Sequence, residues 1–108
     1  MGDRAQVKFI TESKEIYFYS HWNGSNLEEV VVAALERGND RHHDPEYLAR
    51  IIFCEMIKDE VLETTGFGIG FAQHGDVRRV IIVDCDNQEV TFFNGTIKTF
   101  SEIIQEEQ

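Results

Sequence analysis

The chain has 108 residues, 42% hydrophobic and 11% aromatic with a single proline, which excludes a disordered chain and leaves room for one core. Its formal net charge is −10, with ten acids against four bases in residues 23–64, against three and three in residues 1–22 and seven and three in residues 65–108. A field of that sign excludes direct nucleic-acid binding and favours basic partners, a DNA-like acidic surface being one form of it.

The opening "MGDRAQVKF" has no basic stretch followed by an apolar run, and no apolar segment approaches the roughly 18 residues of a membrane span. Gln6 stands where a myristoylation signal takes Ser or Thr. A cytoplasmic protein with no membrane attachment is expected.

"QVKFITES" and "KEIYFYSHW" are β-rich runs joined by the polar "TESK", which predicts a hairpin. Strand alternation then places Ile16, Phe18, Ser20 and Trp22 on one face and Tyr17, Tyr19 and His21 on the other. Trp22 is expected as a core anchor under the first helix. Asn23-Gly24 permits the reversal into it. "SNLEEVVVAALERGN" predicts that helix: Ser25 and Glu28 form a capping box, Leu27, Val30, Val31, Ala34 and Leu35 form the apolar stripe, and Gly38 suits the C-terminal cap.

A second helix is expected from Pro45 to about Thr64, with Asp44 as N-cap and Glu46 in its first turn. Its apolar residues occupy more than one stripe, which points to packing on two sides or to a homo-oligomer, most simply a dimer. "GFGIGFAQ" next alternates Phe67, Ile69 and Phe71 with small residues, so one face is large and the other nearly bare. His74-Gly75-Asp76 is a turn, "VRRVIIVDC" a strand, "DCDNQE" a turn, "VTFFN" a strand, and Ser101–Glu106 a short helix. The fold class is therefore α+β in the order β-β-α-α-β-β-β-α: one domain over residues 1–108, a mostly antiparallel sheet with the two main helices on one face.

Chemistry is weakly marked. The histidines show no metal-ligand spacing, so no metal and no cofactor is expected. Cys54 and Cys85 sit among apolar neighbours and read as buried free thiols. Asp84 and Asp86 flank a turn and would organise it, or hold a divalent cation weakly with Glu89. Ser20 and His21 are strand neighbours pointing opposite ways and cannot pair as nucleophile and base. The glycines of "GFGIGF" lack the strand-loop-helix context of a phosphate loop. They leave a bare strip that aromatic residues from an adjacent strand can line. Tyr17, Tyr19, His21, Gly68, Gly70, Arg78 and Arg79 are thus the candidate ligand-binding residues for a small anionic or nucleotide-like molecule.

The stretch "YSHWNG" resembles a Tyr-x-His-Trp-Asp-Gly motif of small proteins from phages, prophages and plasmids, and "DPEYLARIIFCEMI", "TTGFGI" and "RRVIIVDCDNQEVTFF" are similar in kind to their later segments. Asn23 replaces the motif's Asp, and Ser25-Asn26 replaces its Tyr-Pro. The resemblance implies a mobile-element accessory protein and carries no assigned activity. Together with the charge, it leads to a binding protein that captures or inhibits a basic, nucleic-acid-binding host protein, as in counter-defence. The expected interface is Phe53, Met56 and Ile57 with Glu28, Glu29, Glu36, Asp59 and Glu60. A small-ligand sponge and a hydrolase using His21 with Asp84 or Asp86 are the alternatives, and no catalytic residues are assigned.

Overall fold

In the computed structural model, which describes residues 2–106, the expected hairpin pairs strand β1 (Ala5–Thr11) with strand β2 (Lys14–Ser20), from Ala5 opposite Ser20 to Thr11 opposite Lys14. Its two turn residues, Glu12 and Ser13, have φ of 52° and 63°. Left-handed centres match the twist of the flanking strands, but they favour Asn-Gly and strain ordinary L residues. A remote carboxylate offsets that strain. Asp86 accepts the Glu12 N–H at 2.8 Å and the Ser13 N–H at 3.2 Å.

A 3-10 turn over Gly24–Asn26 leads into helix α1 (Leu27–Arg37), which buries Leu27, Val31, Ala34 and Leu35 as the periodicity requires. The capping box does not form. Asn26 holds the N-cap position without a side-chain cap bond, its amide donating to Asn23 instead, the Ser25 N–H goes to Asp3, and the Glu28 carboxylate takes the Phe93 N–H at 2.7 Å. Gly38 closes the helix at φ −99°, so it is not the left-handed cap; Ile51 packs where its side chain would be.

Helix α2 (Pro45–Ile57) starts behind Asp44, which makes no side-chain cap bond, and it stops seven residues short of Thr64. Beyond Ile57 the backbone bonds shift to i→i+3 spacing, from Glu60 to Ile57 and from Glu63 to Glu60. Asp59 and Glu60 lie at what is already the negative end of the helix dipole, which opposes further winding. Within α2, Leu48, Ile52 and Met56 enter the core while Ile51, Phe53 and Ile57 pack around it. The excess apolar surface of this helix is thereby used largely inside the domain.

Strands β3 (Phe67–Gly70), β4 (Val80–Asp84) and β5 (Glu89–Thr91) follow, then a further short strand β6 (Ile97–Thr99) and helix α3 (Phe100–Glu106). Strand β6 lies beyond the run "VTFFN" and is not marked in the sequence: β5 stops after three residues, and Gly95, at φ 89°, reverses the chain into it. The sheet order is β3-β2-β1-β4-β5-β6, and every neighbouring pair is antiparallel except β1 with β4. The α+β class and element order are as expected, with β6 added before the last helix, and the sheet is mostly antiparallel as expected, the one parallel pair making it mixed. The core lies between the helices and one sheet face, where Val7, Phe9, Phe18, Ile81, Val83 and Val90 meet Leu27, Val31, Leu48, Ile52, Phe100 and Ile103.

The parallel pair forces a crossover. Residues 71–79 leave β3 at one edge and reach β4 past β2 and β1, on the face away from the helices. This strap is fastened by the His74 N–H on Gln6 Oε1 at 3.0 Å, by Asp76 on Arg4, and by the buried Val77. Trp22 corrects the sequence reading. Strand β2 ends at Ser20, alternation lapses, and Trp22 lies half-exposed against Gly66 with its indole N–H on Glu60.

Replacing Glu12 with Asn and Ser13 with Gly is expected to stabilise the protein by about 1 kcal/mol, and Asp86→Ala to destabilise it by about the same, in urea unfolding. An unchanged midpoint for both would remove the account of the turn.

Candidate functional site

The polar groups outside the core converge at the end of the sheet where β1 begins. Tyr19 is their centre. Its hydroxyl accepts the Arg4 Nε–H at 2.7 Å and lies 2.9 Å from His21 Nδ1. The guanidinium has no lone pair to accept the phenol proton, and His21 Nδ1 accepts it in the tautomer that carries the imidazole proton on Nε2. Arg4 also forks onto Asp76, with Nη2 at 3.1 Å from Oδ1. The result is a continuous chain Asp76–Arg4–Tyr19–His21. His74 stacks on the Tyr19 ring at 4.7 Å between centroids, and Trp22 meets the His21 ring edge-on at 5.3 Å.

Residues 2–4 lie across this end. Gly2 packs on His21 so closely that a Cβ would overlap it. Asp3 accepts the Ser25 N–H at 2.9 Å, receives the Arg79 guanidinium, and offers its carbonyl to the Gly24 N–H. Hydrogen bonding from Ser25, then from Arg79, holds the Asp3 carboxyl down at about 2. Arg4 lowers the Asp76 carboxyl in the same way.

The proposed ligand residues are brought together only in part. Tyr19 faces Gly68 and Tyr17 faces Gly70 across β2 and β3, as a bare strip beside an aromatic row requires. Side chains at either glycine would meet nothing within 4 Å. Tyr17, however, is buried and donates its hydroxyl to Glu15, desolvation and that carboxylate both raising its pKa. Arg79 is held by Asp3 and the Arg4 carbonyl, leaving Arg78 exposed on the strap. Any anion at this strip would have to displace internal bonds. Arg4, Asp76 and His74 complete the cluster and gave no local signal, because Arg4 and Asp76 stand 72 positions apart.

His21 cannot work with Asp84 or Asp86. Ala5 pairs with Ser20 and Ile10 with Asp84, so His21 and the carboxylates lie at opposite ends of the sheet, on the order of 17 Å apart at the strand rise. Asp84 instead accepts the Asn87 backbone and side-chain N–H groups, organising the turn as expected, while Asp86 serves the hairpin. Among the described residues, no three His, Cys, Asp or Glu side chains converge as a metal cluster. Both cysteines are free and half-buried; burial, with Asp84 and Asp86 beside it, pushes the Cys85 thiol up to about 12.

The interface candidates separate by burial. Met56 belongs to the core and is unavailable for contact, and Phe53 and Ile57 are half-buried around it. Glu28, Glu29 and Glu36 rim a hollow of about 410 Å³ whose apolar lining is Val32, Ala33 and Phe92. Asp59 is exposed, and Glu60 is half-buried on Trp22.

No family model matches the chain, and neither curated proteins nor solved structures provide a match. No helix of the described residues is long and apolar enough to cross a membrane.

A lowered carboxyl pKa stabilises the fold above its unfolded value, and that contribution disappears as pH falls through the folded value. The Asp3 contribution is therefore expected to vanish between about pH 4 and pH 2. An NMR titration should give Asp3 a midpoint near 2 in the native protein and a higher one in Arg79→Gln; equal midpoints would refute the Arg79 share.

Proposed function

We propose that this is a small acidic binding protein, of the accessory type carried by phages and other mobile elements, that captures a basic, nucleic-acid-binding protein of its host. The supporting observation is how the charges are paired. Among the described residues, Glu55 alone of the ten carboxylates in residues 23–64 meets a cation, taking Arg37 at 2.9 Å and Lys58 at 3.0 Å. The other ion pairs among the described residues spend Arg4, Lys8, Arg79 and Lys98 on acids outside that region. Glu29, Glu36, Asp40, Glu46, Asp59 and Glu63 are left exposed and uncompensated on the helical side.

The hollow rimmed by Glu28, Glu29 and Glu36 supplies the chemistry for a cationic side chain. An Arg or Lys stem can lie on Val32 and Phe92 while its head meets carboxylates. Charge complementarity of this kind raises association rate and is screened by salt. A small-ligand role has less support, since the Tyr19 hydroxyl and the Arg79 guanidinium are already engaged within the protein.

The immobilised protein should retain heparin-binding proteins from host lysate at about 0.05 M salt and release them by about 0.3 M. Changing Glu28, Glu29 and Glu36 together to Gln should weaken retention of the principal partner about tenfold or more while the variant stays folded at the assay temperature, the neutral amide oxygen still accepting the Phe93 N–H. Equal retention by the triple variant would sink the proposal.

A further inference from the structure

The sheet terminates on one side at β3, so the outer backbone groups of that strand have no neighbouring strand. The register identifies them. His21 N–H bonds to Gly66 C=O, and alternation along an antiparallel pair makes Tyr19–Gly68 and Tyr17–Gly70 the bonded pairs. The N–H and C=O of Phe67 and Ile69 consequently point outward from the sheet.

Edge strands are ordinarily guarded by Lys, Pro or a bulge, because unpaired backbone groups recruit other strands. Here the strand is Phe-Gly-Ile-Gly, followed by Phe71, with neither charge nor proline. Ile69 is 56% exposed and Phe71 85%, with Val61 and Leu62 exposed in the segment leading to the strand. The reverse face is open as well, since side chains at Gly68 and Gly70 would touch nothing. An added strand would thus meet apolar side chains on one face and free space on the other.

Two hollows lie near the ends of this edge. One of about 150 Å³ is formed by Phe53, Ile57 and Phe67 with Glu60 and Glu63, and one of about 390 Å³ by Phe9, Ile16 and Phe71 with Glu15 and Lys14. Glu15 is neutralised by Lys8, so Glu60 and Glu63, which meet no cation among the described residues, set the negative sign on the helical side of the edge. A second copy of the chain would bring the same carboxylates and a further charge of −10, whereas a basic segment neutralises them.

We propose that the β3 edge binds an extended segment of a basic partner as a seventh strand. The segment alternates Lys or Arg, whose long stems lie along Ile69 and Phe71 and whose heads reach Glu60 and Glu63, with apolar residues that lie over the Gly68–Gly70 strip. Main-chain bonds from Phe67 and Ile69 hold it, and the alternate side chains select it. The assignment rests on the reading of the protein as an acidic capture protein and specifies where the captured chain attaches.

The test uses the full chain and two synthetic peptides, one alternating Val and Ile with Lys and Arg, the other with Glu at the basic positions. Binding of the basic peptide should slow amide exchange at Phe67 and Ile69 about tenfold or more, with Gly68 and Gly70 already slow in the free protein. The acidic peptide should leave all four unchanged. Ile69→Lys should abolish the effect, and Phe71→Lys, at a still more exposed position, should do so if the first variant melts early. A basic peptide that binds without protecting Phe67 and Ile69 overturns the edge assignment and leaves capture by the α1 carboxylates standing. Protection that grows with protein concentration and no peptide gives the edge to a second copy and also overturns it. Failure of both the peptide and the heparin-binding proteins to bind removes the two readings together.

Discussion

Strand β1 is where the constraints on this protein meet. It is paired on both sides, antiparallel to β2 and parallel to β4, and its residues alternate between two environments that could hardly differ more. Ala5, Val7 and Phe9 are sealed against the helices, while Gln6 and Lys8 face the strap. A slip of one residue would exchange the two sets and bury Lys8 in the core. That register fixes the rest: Phe18 and Ile81 are inside because they neighbour Val7, and Tyr19 is outside because it neighbours Gln6. The parallel pairing with β4 is also what obliges residues 71–79 to cross the sheet, bringing His74 and Asp76 over Tyr19.

The two faces of the sheet have been given different electrostatics. On the strap side three of the cations are used internally, Arg4 on Asp76, Lys8 on Glu15 and Arg79 on Asp3, which knits residues 2–4 and the strap to the sheet. Exposed pairs of this kind add little stability one by one, but they fix geometry where several share a network. On the helical side the carboxylates have few internal partners. Mutual repulsion among them opposes folding slightly, and a partner's positive charge would relieve it. The Tyr19 network and the helical acids thus serve different ends, one organising the fold and the other addressing the outside.

Much of the architecture was legible in local pattern. The hairpin, the stripe of α1, the start of α2 at Asp44-Pro45 and the alternation in "GFGIGF" each follow from side-chain period and backbone chemistry within a few residues. The readings that failed depended on distant competitors. Ser25 and Glu28 are spaced for a capping box, but Asp3 and Phe93 offered better partners. Asp84 and Asp86 were adjacent enough to suggest a shared site, yet one serves its own turn and the other a hairpin 74 positions away. Trp22 was assigned to the core by an alternation that had already ended at Ser20. Met56 was assigned to a surface because periodicity cannot say which of two apolar stripes faces inward.

What returns from the structure to "YFYSHWNGS" is a division of labour within it. The sequence by itself determined the faces, Phe18 on one and Tyr19 on the other, and the large-small alternation of "GFGIGF", because strand geometry sends successive side chains to opposite sides; the pairing of β2 with β3 then set the glycines opposite the tyrosines. It determined the acidity too, since charge is a property of composition. Only the tertiary structure decided that Tyr17 is buried, that Tyr19 joins Arg4 to His21, that His21 and Asp84 stand at opposite ends, and that β3 is left as an unguarded edge. Each of those depends on strand order and on contacts between segments far apart in the chain, and no local period encodes strand order.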